Sequence, residues 1–128
     1  MDGTSTNGQT RTAGRLLLAI AAIHAAFGLW FGRRPLGAIA RDGFVDAIDP
    51  YLERNVVFWF LIASPLLCMV GRFALWLADE GRRPPTWLGR DLLVVAVVGV
   101  LLMPVSGFWL ILVPGALLLV TAQAPTRA

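Results

Sequence analysis

Residues 92–123 read LLVVAVVGVLLMPVSGFWLILVPGALLLVTAQ, a run without a charge and almost without a polar side chain. A chain of 128 residues has too little interior to hide so long an apolar stretch in a globular core. A bilayer accepts it, because a spanning helix needs roughly 20 apolar residues. As one helix continued back to Pro85, the stretch would measure about 58 Å, twice the hydrocarbon thickness, with Trp109 near the bilayer centre. Divided at Met103–Gly107, where Pro104, Ser106 and Gly107 supply turn chemistry, it gives two helices, about 86–103 and 107–123.

Two further apolar runs precede it in a sequence that is 57% hydrophobic. The first covers about 16–32. The second covers about 56–77, crossing Arg72 and containing Pro65, which a membrane helix tolerates as a kink. Gly81-Arg82-Arg83-Pro84-Pro85 stops it, and a proline suits the first turn of the next helix. The expected fold is all-α: a four-helix transmembrane bundle of two hairpins, with the first extracytoplasmic loop the longest. Residues 14–123 form the membrane domain. Residues 1–13 are expected to be a disordered cytoplasmic tail, polar and with nothing to bury. Tryptophan prefers the membrane interface. Two hairpins put Trp30, Trp59 and Trp109 at one interface and Trp76 and Trp87 at the other, with Trp59 and Trp76 about 26 Å apart.

Every basic residue is Arg, and the net charge is +3. The sequence pI near 10.4 does not signal nucleic-acid binding, since the arginines flank apolar runs rather than forming a basic stripe. Arg11, Arg15, Arg72, Arg82, Arg83, Arg90 and Arg127 stand against Arg33, Arg34, Arg41 and Arg54, seven against four, which places both termini in the cytoplasm of a multi-pass cell-membrane protein. Arg11 and Arg15 ahead of an apolar run resemble a signal peptide, but the aromatic and Arg-rich end of that run disfavours cleavage. Cys68 is alone, so it forms neither an intrachain disulfide nor a CxxC pair. No Walker, GxGxxG, HExxH or GxSxG pattern occurs, and neither a cofactor nor a metal site is implied.

The chemistry-bearing residues are few. His24 is the single histidine and lies within the first apolar run. An ionisable group there is costly and faces protein. Ala21, Ala25, Gly28 and Gly32 lie near the same side, a small-residue seam that permits close helix approach. A satisfied interhelical hydrogen bond, with Ser64 or Ser106 as partner, outweighs a catalytic role. Asp42, Asp46, Asp49 and Glu53 crowd the loop 33–55. Their spacing would place them on one helical face, broken at about Asp49 by Pro50. That loop is expected to be either an interfacial amphipathic helix or reentrant segment over the bundle mouth, or a solvated acidic loop pairing with Arg41 and Arg54. Arg72 could snorkel to the headgroups or pair with Asp91.

The strings FGLWFGR (27–33), RDGFVDAIDP (41–50), NVVFWFL (55–61) and MPVSGFWLIL (103–112) together resemble an uncharacterised family of small bacterial integral membrane proteins, a domain of unknown function. The resemblance covers about 13–122 and implies four spans but no activity. Size and layout are also loosely similar to DoxX-like membrane proteins. Two functions follow as expectations. One is a non-enzymatic binding, assembly or accessory subunit, partnered by the bilayer and by its own copies or another membrane protein. The other is a cofactor-independent enzyme or carrier for an isoprenoid-like lipophilic molecule. It would use His24 and a carboxyl of Asp42, Asp46 or Asp49 held in an apolar mouth, where a carboxylic acid can donate a proton.

Overall fold

The computed structural model describes residues 3–124, and within them the chain is entirely helical apart from turns and loops. Five helices follow in order: α1 (Gly3–Phe31), α2 (Arg33–Arg41), α3 (Leu52–Asp79), α4 (Thr86–Leu102) and α5 (Phe108–Gln123). By length and composition, α1 and α3 can each cross a membrane. Helix α5 is apolar but shorter.

The expected tail is corrected by α1, which begins at Gly3 rather than near Leu16. Thr10 and Ala13 are fully buried, and Thr6 nearly so. The Thr10 and Thr12 hydroxyls donate back to the carbonyls of Thr6 and Gly8, so the polar segment satisfies itself along its own helix. It is also anchored sideways. Arg11 pairs with Asp79 of α3 at 2.7 Å, and Gln9 Oε1 lies 3.2 Å from the Thr121 hydroxyl of α5. Residues 1 and 2 of that tail, and Arg127, lie outside the described residues.

Glycines set how closely the helices approach. A Cβ at Gly14 would stand 2.9 Å from the Gly71 carbonyl oxygen, and one at Gly32 would stand 2.5 Å from Val57. These facing pairs make α1 and α3 antiparallel over their full length. In the second hairpin a Cβ at Gly89 would meet the Leu119 backbone nitrogen at 2.4 Å, and one at Gly99 would meet the Phe108 ring. Helix α1 packs on both α3 and α5, whereas α4 packs on α5 alone. The four long helices therefore stand in an open row, α3–α1–α5–α4, made of the two expected hairpins joined through α1 and α5. The core threads that row through Leu17 of α1, Ala74 of α3, Leu118 of α5 and Leu88 of α4.

Helices α2 and α3 end by one device. Gly43 (φ 89°) and Gly81 (φ 62°) take the left-handed conformation that glycine adopts without a Cβ clash. At the first, Gly43 N–H bonds the Ala40 carbonyl and Phe44 N–H bonds the Ile39 carbonyl. At the second, Gly81 N–H bonds Ala78 and Arg82 N–H bonds Leu77. Both are Schellman caps. The first stops the loop helix at Arg41, so the acidic helical face expected from Asp42 to about Asp49 does not form. Asp42 becomes the C-cap, Asp46 sits at φ 53°, and Asp49 precedes Pro50 in a turn.

Candidate functional site

The most developed polar cluster lies where the loop 33–51 meets the start of α3. Arg54, in the first turn of α3, is 93% buried by exposure of 7% and gathers three parts of the loop. One guanidinium nitrogen pairs with Asp42 Oδ2 at 2.7 Å, another donates to the Ala47 carbonyl at 2.6 Å, and the group stacks 4.0 Å over the Tyr51 ring. Its Nε has no partner. Asn55 donates to Asp49 at 2.9 Å beside it. Five donors in a rigid fork suit Arg to such multipoint fastening. The cluster straps the loop down.

Beneath the strapped loop lies an apolar groove of about 560 Å³, lined among others by Leu36 and Ile39 of α2, Phe44, and Leu61, Ile62 and Pro65 of α3. The Schellman cap explains part of the lining. It brings Phe44 back beside Ile39, the hydrophobic contact that accompanies this motif. Leu36 and Ile39 occupy the groove side of α2, while helical spacing puts Arg34 and Arg41 on its opposite face. Helix α2 is thus amphipathic, with its apolar side turned to the groove.

The structure separates the sequence-derived site residues. Asp42, Asp46, Asp49 and Glu53 are all exposed and none lines the groove. His24 lies elsewhere as well. Its Nε2 is 2.9 Å from the Phe60 carbonyl oxygen, and its ring stacks on Phe60 at 3.9 Å with planes 15° apart. The neutral tautomer that donates to this carbonyl carries its proton on Nε2. A backbone carbonyl of α3 thus replaces the expected serine partners. Ser64, one turn further along, has a buried hydroxyl with no partner, and Ser106 donates to the Met103 carbonyl. Asp91 pairs with its neighbour Arg90 rather than with Arg72. Among the described residues no three of His, Cys, Asp and Glu come together as a metal-ligating group.

Sequence reading named Arg54 as a partner of the loop acids, and its pair with Asp42 bears that out; what it missed is the burial of Arg54 and its bonds to Ala47 and Tyr51. The detectable signal was Asp42-Gly43, a turn dipeptide that ends a helix and returns the chain toward the start of α3.

No curated protein and no solved structure matches the chain. Residues 8–125, which take in all but the first turn of α1 and the whole of α2 to α5, match a single family along their length, and the chain belongs to that family, the family of unknown function DUF6463.

Proposed function

We propose that this is a small multi-pass membrane protein with a non-enzymatic role, an assembly or accessory subunit that works by packing against its own copies or another membrane protein. The observation that carries the reading is the open row of helices. Helices α3 and α4 are the edges of the row, α3 packed on α1 and the short α2, α4 on α5, and α4 presents Val94, Val95, Val97 and Val98 outward. Only 22% and 17% of the apolar windows of α1 and α3 are buried, whereas the core helix of a soluble protein would be mostly covered. Lipid can cover such faces, and so can a second row. All four long helices lie in the bilayer on this reading, with both termini cytoplasmic and the loop 33–51 outside. The exposed tryptophans support that frame at three corners. Trp30 and Trp59 flank the close approach of Gly32 to Val57, while Trp76 lies near the far end of α3 and Trp87 at the start of α4.

The test is cysteine crosslinking in native membranes from Val98→Cys on α4, in a Cys68→Ala background. A crosslinked homodimer, or a defined adduct with one membrane protein, is the expected result. Monomer alone, at saturating crosslinker, overturns the assembly role.

A second reading, a carrier or cofactor-independent enzyme for a lipophilic molecule, draws on the groove beneath α2. Its volume lies within the usual range of small-molecule sites. The exposed loop carboxylates and the separately packed His24 favour holding a ligand over protonating one. Ile62→Trp, which fills the groove, should abolish retention of a lipophilic fluorescent probe. Unchanged retention removes this reading.

A further inference from the structure

The closest approach of α1 to α3 sets two arginines side by side. A Cβ at Gly14 would stand 2.9 Å from the Gly71 carbonyl oxygen, and one at Gly71 would stand 3.0 Å from the Gly14 carbonyl oxygen. The residue after each glycine is an arginine, Arg15 on α1 and Arg72 on α3. Two antiparallel helices are related by a half-turn about an axis normal to their common plane. Residues one step past a contacting pair, each turned by about 100°, therefore emerge on the same side of the hairpin. The Arg11–Asp79 ion pair, which lies on the stripes of Arg15 and Arg72, crosses the hairpin on that side. The Cα atoms of Arg15 and Arg72 are then within about 10 Å of each other, the spacing of packed helices.

Both side chains are exposed, and among the described residues neither guanidinium has a protein partner. The acids of this end are engaged or turned away. Asp79 is held by Arg11 and Asp91 by Arg90, while Glu80 follows Arg72 by eight residues and lies well around α3 from it. A third cation stands close by, since Arg82 stacks 5.5 Å over the Trp76 ring, one turn of α3 beyond Arg72. Trp76 is half exposed and marks the interface, so Arg15 and Arg72 sit just on its membrane side. At that depth a lone arginine reaches up to the headgroups with its stem in hydrocarbon. Two of them together repel unless an anion lies between.

We propose that Arg15 and Arg72 clamp the phosphate of one anionic phospholipid on the face of the α1–α3 hairpin. This rests on the membrane placement of the helices given above. Each guanidinium offers a planar fork that bonds two phosphate oxygens, and the phosphate charge removes the repulsion between them. A zwitterionic headgroup would return an ammonium beside the two arginines, whereas a glycerol headgroup would not, so the site favours a lipid of net negative charge. Arg82 over Trp76 adds a further positive charge on the water side of the clamp.

The test exposes full-length protein in detergent to equal amounts of phosphatidylglycerol and phosphatidylcholine and reads the bound lipid by native mass spectrometry. The protein should retain phosphatidylglycerol preferentially, and Arg15→Gln and Arg72→Gln should each lower that preference about fivefold. Arg90→Gln, whose arginine is paired with Asp91, should leave it unchanged. Arg72→Lys keeps the charge without the fork and should lose most of the preference, which separates the clamp from any loss of fold in the Gln variants. Full preference in Arg15→Gln and Arg72→Gln overturns the proposal, as does full preference in Arg72→Lys or an equal loss in Arg90→Gln, which would reduce the site to bare charge. Displacement of the lipid by millimolar inorganic phosphate also overturns it, because the site would then belong to a free anion. Alkaline extraction of vesicles carrying the protein tests the membrane placement separately. Release into the supernatant brings down that placement and the proposal with it, while retention without lipid preference brings down the proposal alone.

Discussion

The two hairpins solve the same packing problem with different margins. In the first, helices of 29 and 28 residues are joined by a loop that carries its own helix and its own arginine fastening. In the second, helices of 17 and 16 residues are joined by a short apolar turn. Both rely on glycine for close approach, but the second is tighter. A Cβ at Gly14 would come 2.9 Å from a backbone oxygen, while one at Gly89 would come 2.4 Å from a backbone nitrogen and 2.7 Å from the Leu119 Cα. The first hairpin thus has polar ties at both ends to hold its register. The second is tied across its open end, where the Arg83 guanidinium donates to the Ala124 carbonyl, and along its length it relies on close contact at Gly89 and Gly99, so it should be the more brittle of the two.

Gly89→Ala is the sharpest way to break that contrast. The new methyl meets main chain on every near side, so α4 and α5 must part, and the loss should reach about 3 kcal/mol, the upper end of overpacking costs. Gly14→Ala should cost about 1–2 kcal/mol, because two of its three near atoms belong to the Leu75 side chain, which can turn away. Thermal unfolding in detergent, followed by light scattering, measures both. An equal or reversed ranking would show that the hairpins do not differ in margin.

Arg54→Leu tests the fastening that the second hairpin lacks. Three loop contacts are lost, yet Asp42, with a side chain half exposed, is left where water can reach it. The cost should therefore fall at about 1–3 kcal/mol, below that of breaking a fully buried pair. Proteolysis within residues 42–51 should accelerate more than tenfold, while the α4–α5 turn stays as resistant as before. Equal acceleration at both places would make Arg54 a global rather than a local element.

This contrast also explains which parts of the structure were legible. The turns at 81–85 and 103–107 could be read because proline and glycine interrupt long apolar runs, and the helices on either side begin and end close to those marks. The helical start of α1 could not. Thr6, Gln9 and Thr10 look like a solvated tail in one dimension, and only the neighbouring ends of α3 and α5 give them something to bury against. The open row was equally hidden, because apolar periodicity shows that a helix buries a face but not whether two edges meet. For the loop, acidic spacing suggested one face, but local turn chemistry at Gly43 outranked periodicity and scattered the carboxylates. The partner of His24 was hidden for a further reason: it is a main-chain carbonyl, which no side-chain pattern announces.

The smallest effects are expected one level deeper in the first hairpin, at His24 and Ser64. The Phe60 carbonyl has a second lone pair for its own helix, so loss of the His24 N–H strands no buried acceptor. His24→Phe keeps a ring against Phe60 without the donor, and His24→Gln keeps a donor without the ring. Each should cost about 0.5–1 kcal/mol, the scale of one interhelical hydrogen bond in a membrane protein or of one aromatic pair. Ser64→Ala removes a buried hydroxyl that has no partner and should be neutral or slightly stabilising. Melting of the three variants in one detergent ranks them. A loss above about 2 kcal/mol for Ser64→Ala would mean that its hydroxyl is bonded after all, and the inner face of this hairpin would then hold a polar pair in place of a lone histidine against a backbone carbonyl.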